Sequence, residues 1–176
     1  MTIIAAADGS ALGNPGPAGW GWFVDQECWA VGGWAHGTNN KAELTAVLDL
    51  LQQTAHLDEE LLVYCDSTYV INAITKWMAG WKRRGWRKGD GKPVLNVEIM
   101  KALDEAMLGR RVRFVWVKGH SGHELNEAAD RLANAAAASW KKQTAPSPGP
   151  GFAGAAVRHP EPPSGQRFDE ADLFSS

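Results

Sequence analysis

Two short apolar runs constrain the fold of this chain more than any other feature. Ile3-Ile4-Ala5-Ala6-Ala7 and Leu61-Leu62-Val63-Tyr64-Cys65 each lead directly into an aspartate, Asp8 and Asp66. Small polar residues follow at once, Gly9-Ser10 and Ser67-Thr68. Apolar runs of this length, bounded by turn residues, predict buried strands. Folds that mix strands and helices place their functional residues at such strand ends. Two further acids share this kind of setting. Glu43 lies in Thr38-Asn39-Asn40-Lys41-Ala42-Glu43-Leu44, in the first turn of a predicted helix. Asp130 lies on a helix that opens after Gly119-His120-Ser121-Gly122-His123.

The rest of the pattern completes an α/β domain over residues 1–142. Strands are predicted at 2–8, 19–24, 27–33, 61–66 and 112–117, with residues 9–17 as a loop and a tight turn at Asp25-Gln26. Helices are predicted from an N-cap at Asn39 or Asn40 through Gln53, then at 68–75, 94–108 and 124–140. The order β-β-β-α-β-α-α-β-α gives a mixed five-stranded sheet, an antiparallel meander plus parallel strands, flanked by helices. From residue 143 to 176 the chain turns rich in Pro and Gly and loses periodicity, the composition of a disordered tail.

Composition matters mainly through its unevenness. The net charge is −2, yet residues 76–92 hold seven Lys or Arg against one acid, a local +6, and the remainder carries −8. A basic stripe on an acidic body suits a polyanionic partner meeting a cation-binding centre. Within it, Trp77, Trp81, Lys82, Arg83, Arg84, Trp86, Arg87 and Lys88 interleave rings with cations, a pattern suited to a nucleic-acid backbone. Some of these rings are expected to anchor the segment to the body. Cys28 and Cys65 lack zinc spacing and are expected to be buried and reduced. Met1-Thr2 leads straight into a strand, and no run of about 18 apolar residues exists. No secretion signal is read there, and a cytoplasmic location is expected.

The four carboxylates are costly together unless a cation neutralises them. Two hard divalent ions about 3.5–4 Å apart clamp the attacking and leaving oxygens of a displacement at phosphorus. Oxygen ligands favour Mg²⁺ or Mn²⁺ over zinc. His120, between glycines after a strand, suits proton transfer, whereas His123 is expected to serve the helix start.

Asp8-Gly9-Ser10 with Gly13-Asn14-Pro15-Gly16, Thr38-Asn39-Asn40 with Glu43, Asp66-Ser67 with Tyr69-Val70, and Trp116-Val117-Lys118-Gly119-His120-Ser121-Gly122-His123 with Asn126 and Asp130 resemble type I ribonuclease H. The motifs stand in the family's order from about residue 2 to 141. The resemblance implies the ribonuclease H-like fold, a monomer, and hydrolysis of the RNA strand of RNA–DNA hybrids to 5′-phosphate and 3′-hydroxyl ends. It implies two Mg²⁺ ions held by Asp8, Glu43, Asp66 and Asp130, with His120 as the mobile histidine and residues 76–92 as the basic handle of the bacterial members. Ser10, Asn14, Asn39, Asn40 and Ser67 are candidates for reading 2′-hydroxyls or holding DNA phosphate, with Thr38 and Asn40 suited to phosphate. Ala11 and Thr68 depart from the family's usual cysteine and glutamine, which bears on the 2′-hydroxyl contacts. Glu170-Ala171-Asp172-Leu173-Phe174 resembles the peptide by which bacterial replication proteins dock on the sliding clamp, with Glu in place of Gln.

Two other readings compete. A hybrid-binding module without activity would be expected to have lost an acid, and all four positions are acidic. A DNA nuclease of the same fold fits less well with Thr38-Asn39-Asn40 and the Trp-rich segment.

Overall fold

In the computed structural model, which describes residues 1–155, the strands β1 (Thr2–Ala11), β2 (Gly16–Asp25), β3 (Cys28–Gly37), β4 (Glu60–Cys65) and β5 (Val112–Trp116) form one sheet. Their order is β3-β2-β1-β4-β5. The first three run antiparallel as a meander, and β4 and β5 join β1 in parallel. The helices are α1 (Asn39–Gln53), α2 (Thr68–Asn72), α3 (Met78–Arg83), α4 (Val97–Met107) and α5 (Glu124–Lys141), with one π turn, Ala73–Trp77, joining α2 to α3. The expected fold class is the observed one. Among the described residues, no helix is long and apolar enough to cross a membrane.

Pleating sorts the central residues between two layers. Gly9 pairs with Trp20 and Ala7 with Trp22, and these face α1, where the Trp22 indole donates to Asp49 Oδ2 at 2.7 Å. Asp8 pairs with Gly21 and Ser10 with Gly19, on the face covered by α5. The alanine-rich helix is explained by this packing. A Cβ on Gly19 would come within 2.4 Å of the Ala133 carbonyl, so small residues on both sides let α5 lie close against β2. Leu44, Val47, Leu50 and Leu51 of α1 fill the other layer with Val63, Met100 and Leu103.

Several boundaries differ from expectation, three of them with consequences for the domain. β1 continues to Ala11, because its second half pairs with β2 as far as Ala18. Asp8 therefore lies inside a strand and not at its end. The N-cap of α1 is Thr38, whose hydroxyl accepts from the Lys41 N–H at 3.2 Å, and neither Asn39 nor Asn40.

The third difference concerns the tail. Over residues 143–155 the chain does not have the structureless character its composition predicts. Val31 N–H donates to the Pro148 carbonyl at 3.1 Å and Gly151 N–H to the Trp29 carbonyl at 3.0 Å, along the outer edge of β3. Phe152 packs against the core, and its N–H donates to Gln53 Oε1 at 3.1 Å. Prolines lack an N–H but keep a carbonyl, so the segment satisfies an edge strand without offering a new one. Composition does not reveal this because the partner strand is more than a hundred residues away. Ending the chain after Gln143 should lower the melting temperature by about 5 °C, the equivalent of one partly buried aromatic ring in a domain of this size. Equal melting temperatures for chains ending at 143 and 155 would show that the segment only rests on the sheet.

Candidate active site

Gly9 brings the site together. A Cβ there would sit 2.4 Å from the Glu43 backbone nitrogen and 2.7 Å from the Ala42 carbonyl carbon. Only the missing side chain lets the first turn of α1 seat on β1 and carry Glu43 next to Asp8. Asp66 follows the last residue of β4, as expected, and its carbonyl accepts from the Trp116 indole at 3.2 Å. Carboxylate oxygens of Asp8, Glu43 and Asp66 all lie within 4.8 Å of one another. Asp130, half-buried on α5, accepts from Asn134 Nδ2 at 3.2 Å, and its charge helps raise Asp66.

Burial governs the electrostatics. Asp8 is 3% exposed, and burial, followed by the charge of Asp66, holds its carboxyl far above the ordinary carboxylate range. Glu43 is pushed up to about 7, first by burial, while hydrogen bonds from Ser67 and Asn39 pull it partly back. Asp66 is raised by burial and then by Asp130. Asp8 Oδ2 and Glu43 Oε2 are buried without a hydrogen-bond partner. The surface ion pairs lie elsewhere, at Lys82–Asp104, Arg111–Asp58 and Arg113–Glu60. Buried acceptors of like charge without donors are what a hard divalent cation would satisfy. Cys65 offers no competing thiolate, since burial pushes its thiol up to about 12. Both cysteines are free, with Cys65 buried and Cys28 partly exposed.

Several residues expected to face substrate also organise the site. Asn39 Nδ2 donates to Glu43 Oε1 at 2.6 Å, and the Asn39 N–H donates to Asn14 Oδ1 at 3.1 Å. Ser67 caps α2 through the Val70 N–H, and Thr38 caps α1. Asn40 is exposed, and Ser10 is partly buried toward the end of β1. His120 is exposed on the loop after β5, in the left-handed region with φ 56°. The same loop is pinned by Gly122 N–H donating to Glu127 Oε1. His123 has the structural role expected of it: Nδ1 accepts from the Asn126 N–H at 3.3 Å, and the ring lies 4.3 Å from Tyr64.

In the basic segment, Tyr69, Lys76, Trp77, Trp81, Arg84 and Lys88 line a concavity of about 570 Å³. Trp77 is 41% exposed there, whereas Trp81 is 8% exposed and anchors the segment to the core. Lys82 pairs with Asp104 at 2.8 Å and stays half-exposed. Arg83 is exposed, and Arg84 and Arg87 donate to the carbonyls of Arg87 and Gly91, shaping the loop. Residues 170–174 lie outside the described residues.

Comparison with known proteins decides the family. The family model for RNase H matches residues 2–138. The chain belongs to the ribonuclease H family. This ribonuclease H is 56% identical over 150 residues to the ribonuclease H of Tropheryma whipplei, covering 85% of this chain and 93% of that one. It is 49% identical over 137 residues to the enzyme of Bradyrhizobium diazoefficiens, covering 74% and 86%. Among solved structures, LC11-RNase H1 in complex with an RNA/DNA hybrid matches with a TM-score of 0.57 at 25% identity, over 77% of this chain and 96% of that one. The N-terminal RNase H domain of a Mycobacterium tuberculosis protein matches with a TM-score of 0.61 at 25% identity, over 81% of this chain and 97% of that one.

Gly9 and Trp116 shape the site and were not singled out from sequence as doing so.

Proposed function

We propose that this ribonuclease H hydrolyses the RNA strand of RNA–DNA hybrids to 5′-phosphate and 3′-hydroxyl ends, using two Mg²⁺ ions, or Mn²⁺ in their place, held by Asp8, Glu43, Asp66 and Asp130. The observation that carries this reading is the carboxylate trio within 4.8 Å, whose buried members Asp8 and Glu43 each have an oxygen lacking any donor. Such ions, when bound, offset charge at the phosphate and lower the pKa of an attacking water. The chain's own residues hold the frame around them. Asn39 orients Glu43, and the Gly9 N–H donates to Asp8 Oδ1 at 2.8 Å. We assign proton transfer to His120 on its exposed loop.

Choice of a hybrid is assigned to polar groups near the site. Ser10, Asn14, Asn39, Asn40 and Ser67 would read 2′-hydroxyls in the minor groove, and Thr38 and Asn40 would hold phosphate. Hydroxyls that accept from a helix N–H still have a proton to donate, so capping and recognition are compatible. Trp77, Arg83, Arg84, Arg87 and Lys88 would grip the backbone. That a structural relative is solved with an RNA/DNA hybrid supports the reading.

Four matched duplexes test it: RNA–DNA, RNA–RNA, DNA–DNA, and DNA with one ribonucleotide, each with and without Mg²⁺. Mg²⁺-dependent cleavage of the RNA–DNA duplex is expected, and RNA–RNA and DNA–DNA should stay intact. Tight hybrid binding with no cleavage would favour a non-catalytic binding module. Residues 170–174 we assign to sliding-clamp docking on their resemblance alone. A clamp pull-down unaffected by removing the last seven residues would dismiss that assignment.

A further inference from the structure

The loop that follows β5 is fastened where β4 ends. The Trp116 indole donates to the Asp66 carbonyl at 3.2 Å, and Val117 N–H donates to the Cys65 carbonyl at 3.1 Å. Gly119 makes a third and closer approach. A Cβ built there would lie 2.9 Å from Asp66 Oδ2, 3.7 Å from its Cγ and 3.8 Å from its Cβ. Chain neighbours apart, these are the three nearest atoms, so the Asp66 carboxylate occupies space a side chain at 119 would need. Backbone conformation gives glycine no advantage here. His120 and Gly122 have φ of 56° and 88°, in the left-handed region, and Gly119 lies outside it. Past Gly119 the turn is closed, since Ser121 Oγ donates to the Lys118 carbonyl at 2.5 Å and Gly122 N–H to Glu127 Oε1 at 3.1 Å. His120 therefore stands between a contact with Asp66 and a contact with α5.

We propose that Gly119 is a positioning residue: its bare Cα seats the Asp66 carboxylate and fixes it, for metal ligation, against the loop that carries His120. The proposal rests on the metal-dependent reading of the trio. A methyl group at 119 would meet the free end of one side chain, which can swing aside without disturbing the fold. What suffers is the aim of the carboxylate. Groups that orient metal ligands change affinity or activity by about 10–100-fold when altered.

The test is calorimetric titration of Mg²⁺ into the full chain without nucleic acid, comparing wild type with Gly119→Ala. The expected result is a Kd for Mg²⁺ raised by about tenfold or more. The metal-free melting temperature should stay within about 4 °C of wild type, because the backbone at 119 accepts alanine. The Mg²⁺-induced rise in melting temperature should shrink as the affinity falls. In hybrid cleavage kcat should drop about tenfold or more while KM stays within about twofold. Unchanged Mg²⁺ affinity in Gly119→Ala would show that the carboxylate needs no seat and overturn the proposal. Failure of the variant to fold, or a large fall in its metal-free melting temperature, would make Gly119 a folding residue and overturn it equally. A wild-type protein that takes up no Mg²⁺ would instead bring down the metal-dependent reading itself, and the proposal with it.

Discussion

Asp8→Asn is expected to abolish hybrid cleavage and, in the same protein, to raise the melting temperature measured without metal. The loss of activity should be on the order of a thousandfold or more, since a charge aimed at the reacting centre is removed. The gain in stability has a separate origin. Asp8 is almost fully buried beside Asp66 and Glu43, and its folded-state pKa lies far above the ordinary value of 3.8. A carboxyl raised in this way binds a proton in the folded protein that the unfolded chain has already released. Stability is therefore complete below about pH 4 and is lost as pH rises through the raised values, about 7 for Glu43 and about 9 for Asp8. Metal-free wild type should melt at a lower temperature at pH 9 than at pH 5.

Asp8→Asn should flatten that slope, gaining about 2–4 °C at pH 9 for each kcal/mol of repulsion relieved. Saturating Mg²⁺ should flatten it in wild type as well, by binding the folded state alone. Thermal melts in chelator at pH 5, 7 and 9 supply the measurement. A wild-type melting temperature that climbs with pH over this window would show that the carboxylates are not strained against one another.

The second large effect is expected at a residue with no side chain. Gly9→Ala places a methyl group 2.4 Å from the Glu43 backbone nitrogen and 2.8 Å from the Ala42 Cβ. Backbone atoms on a packed helix cannot turn aside as a flexible side chain would, so α1 must lift from β1. Overpacking of this kind costs about 1–3 kcal/mol or more, and a fall of roughly 2–4 °C in melting temperature follows for each kcal/mol. Activity should fall further than stability does. A displacement of about 1 Å in a catalytic group costs roughly a hundredfold, and Glu43 rides on the helix that moves. Gly89→Ala is the control, because nothing lies within 4 Å of the added methyl and no left-handed backbone is required there. A Gly9→Ala protein with wild-type turnover would mean that α1 slides without shifting Glu43, and the account of how the site is assembled would fail.

Residue by residue, legibility followed the range of the interaction. Asp66 was readable because an apolar run and its polar end are adjacent in the chain. The helix through Gln53 and the meander were readable because periodicity and turn chemistry act over a few residues. Lys82 was not, because its partner Asp104 is on a different helix. Trp81 reads like Trp77 in sequence, yet one ring is buried and the other half-open, a distinction set by which side of the π turn and α3 meets the core. Residues 143–155 were unreadable for a related reason: their prolines look like linker until the edge of β3 is there to receive them.

The four acids, their small polar neighbours and the order of the motifs are local properties, and they are enough to point to phosphodiester chemistry in a ribonuclease H. The tertiary structure decided which carboxylates converge. Asp8, Glu43 and Asp66 come from two strands and a helix, and they meet only because β1 pairs in parallel with β4 and Gly9 admits α1. It also decided that Asn39 braces Glu43. Burial is what turns these residues into a site, since in water carboxylates hardly sense one another, and in the packed interior burial and mutual charge raise Asp8, Glu43 and Asp66.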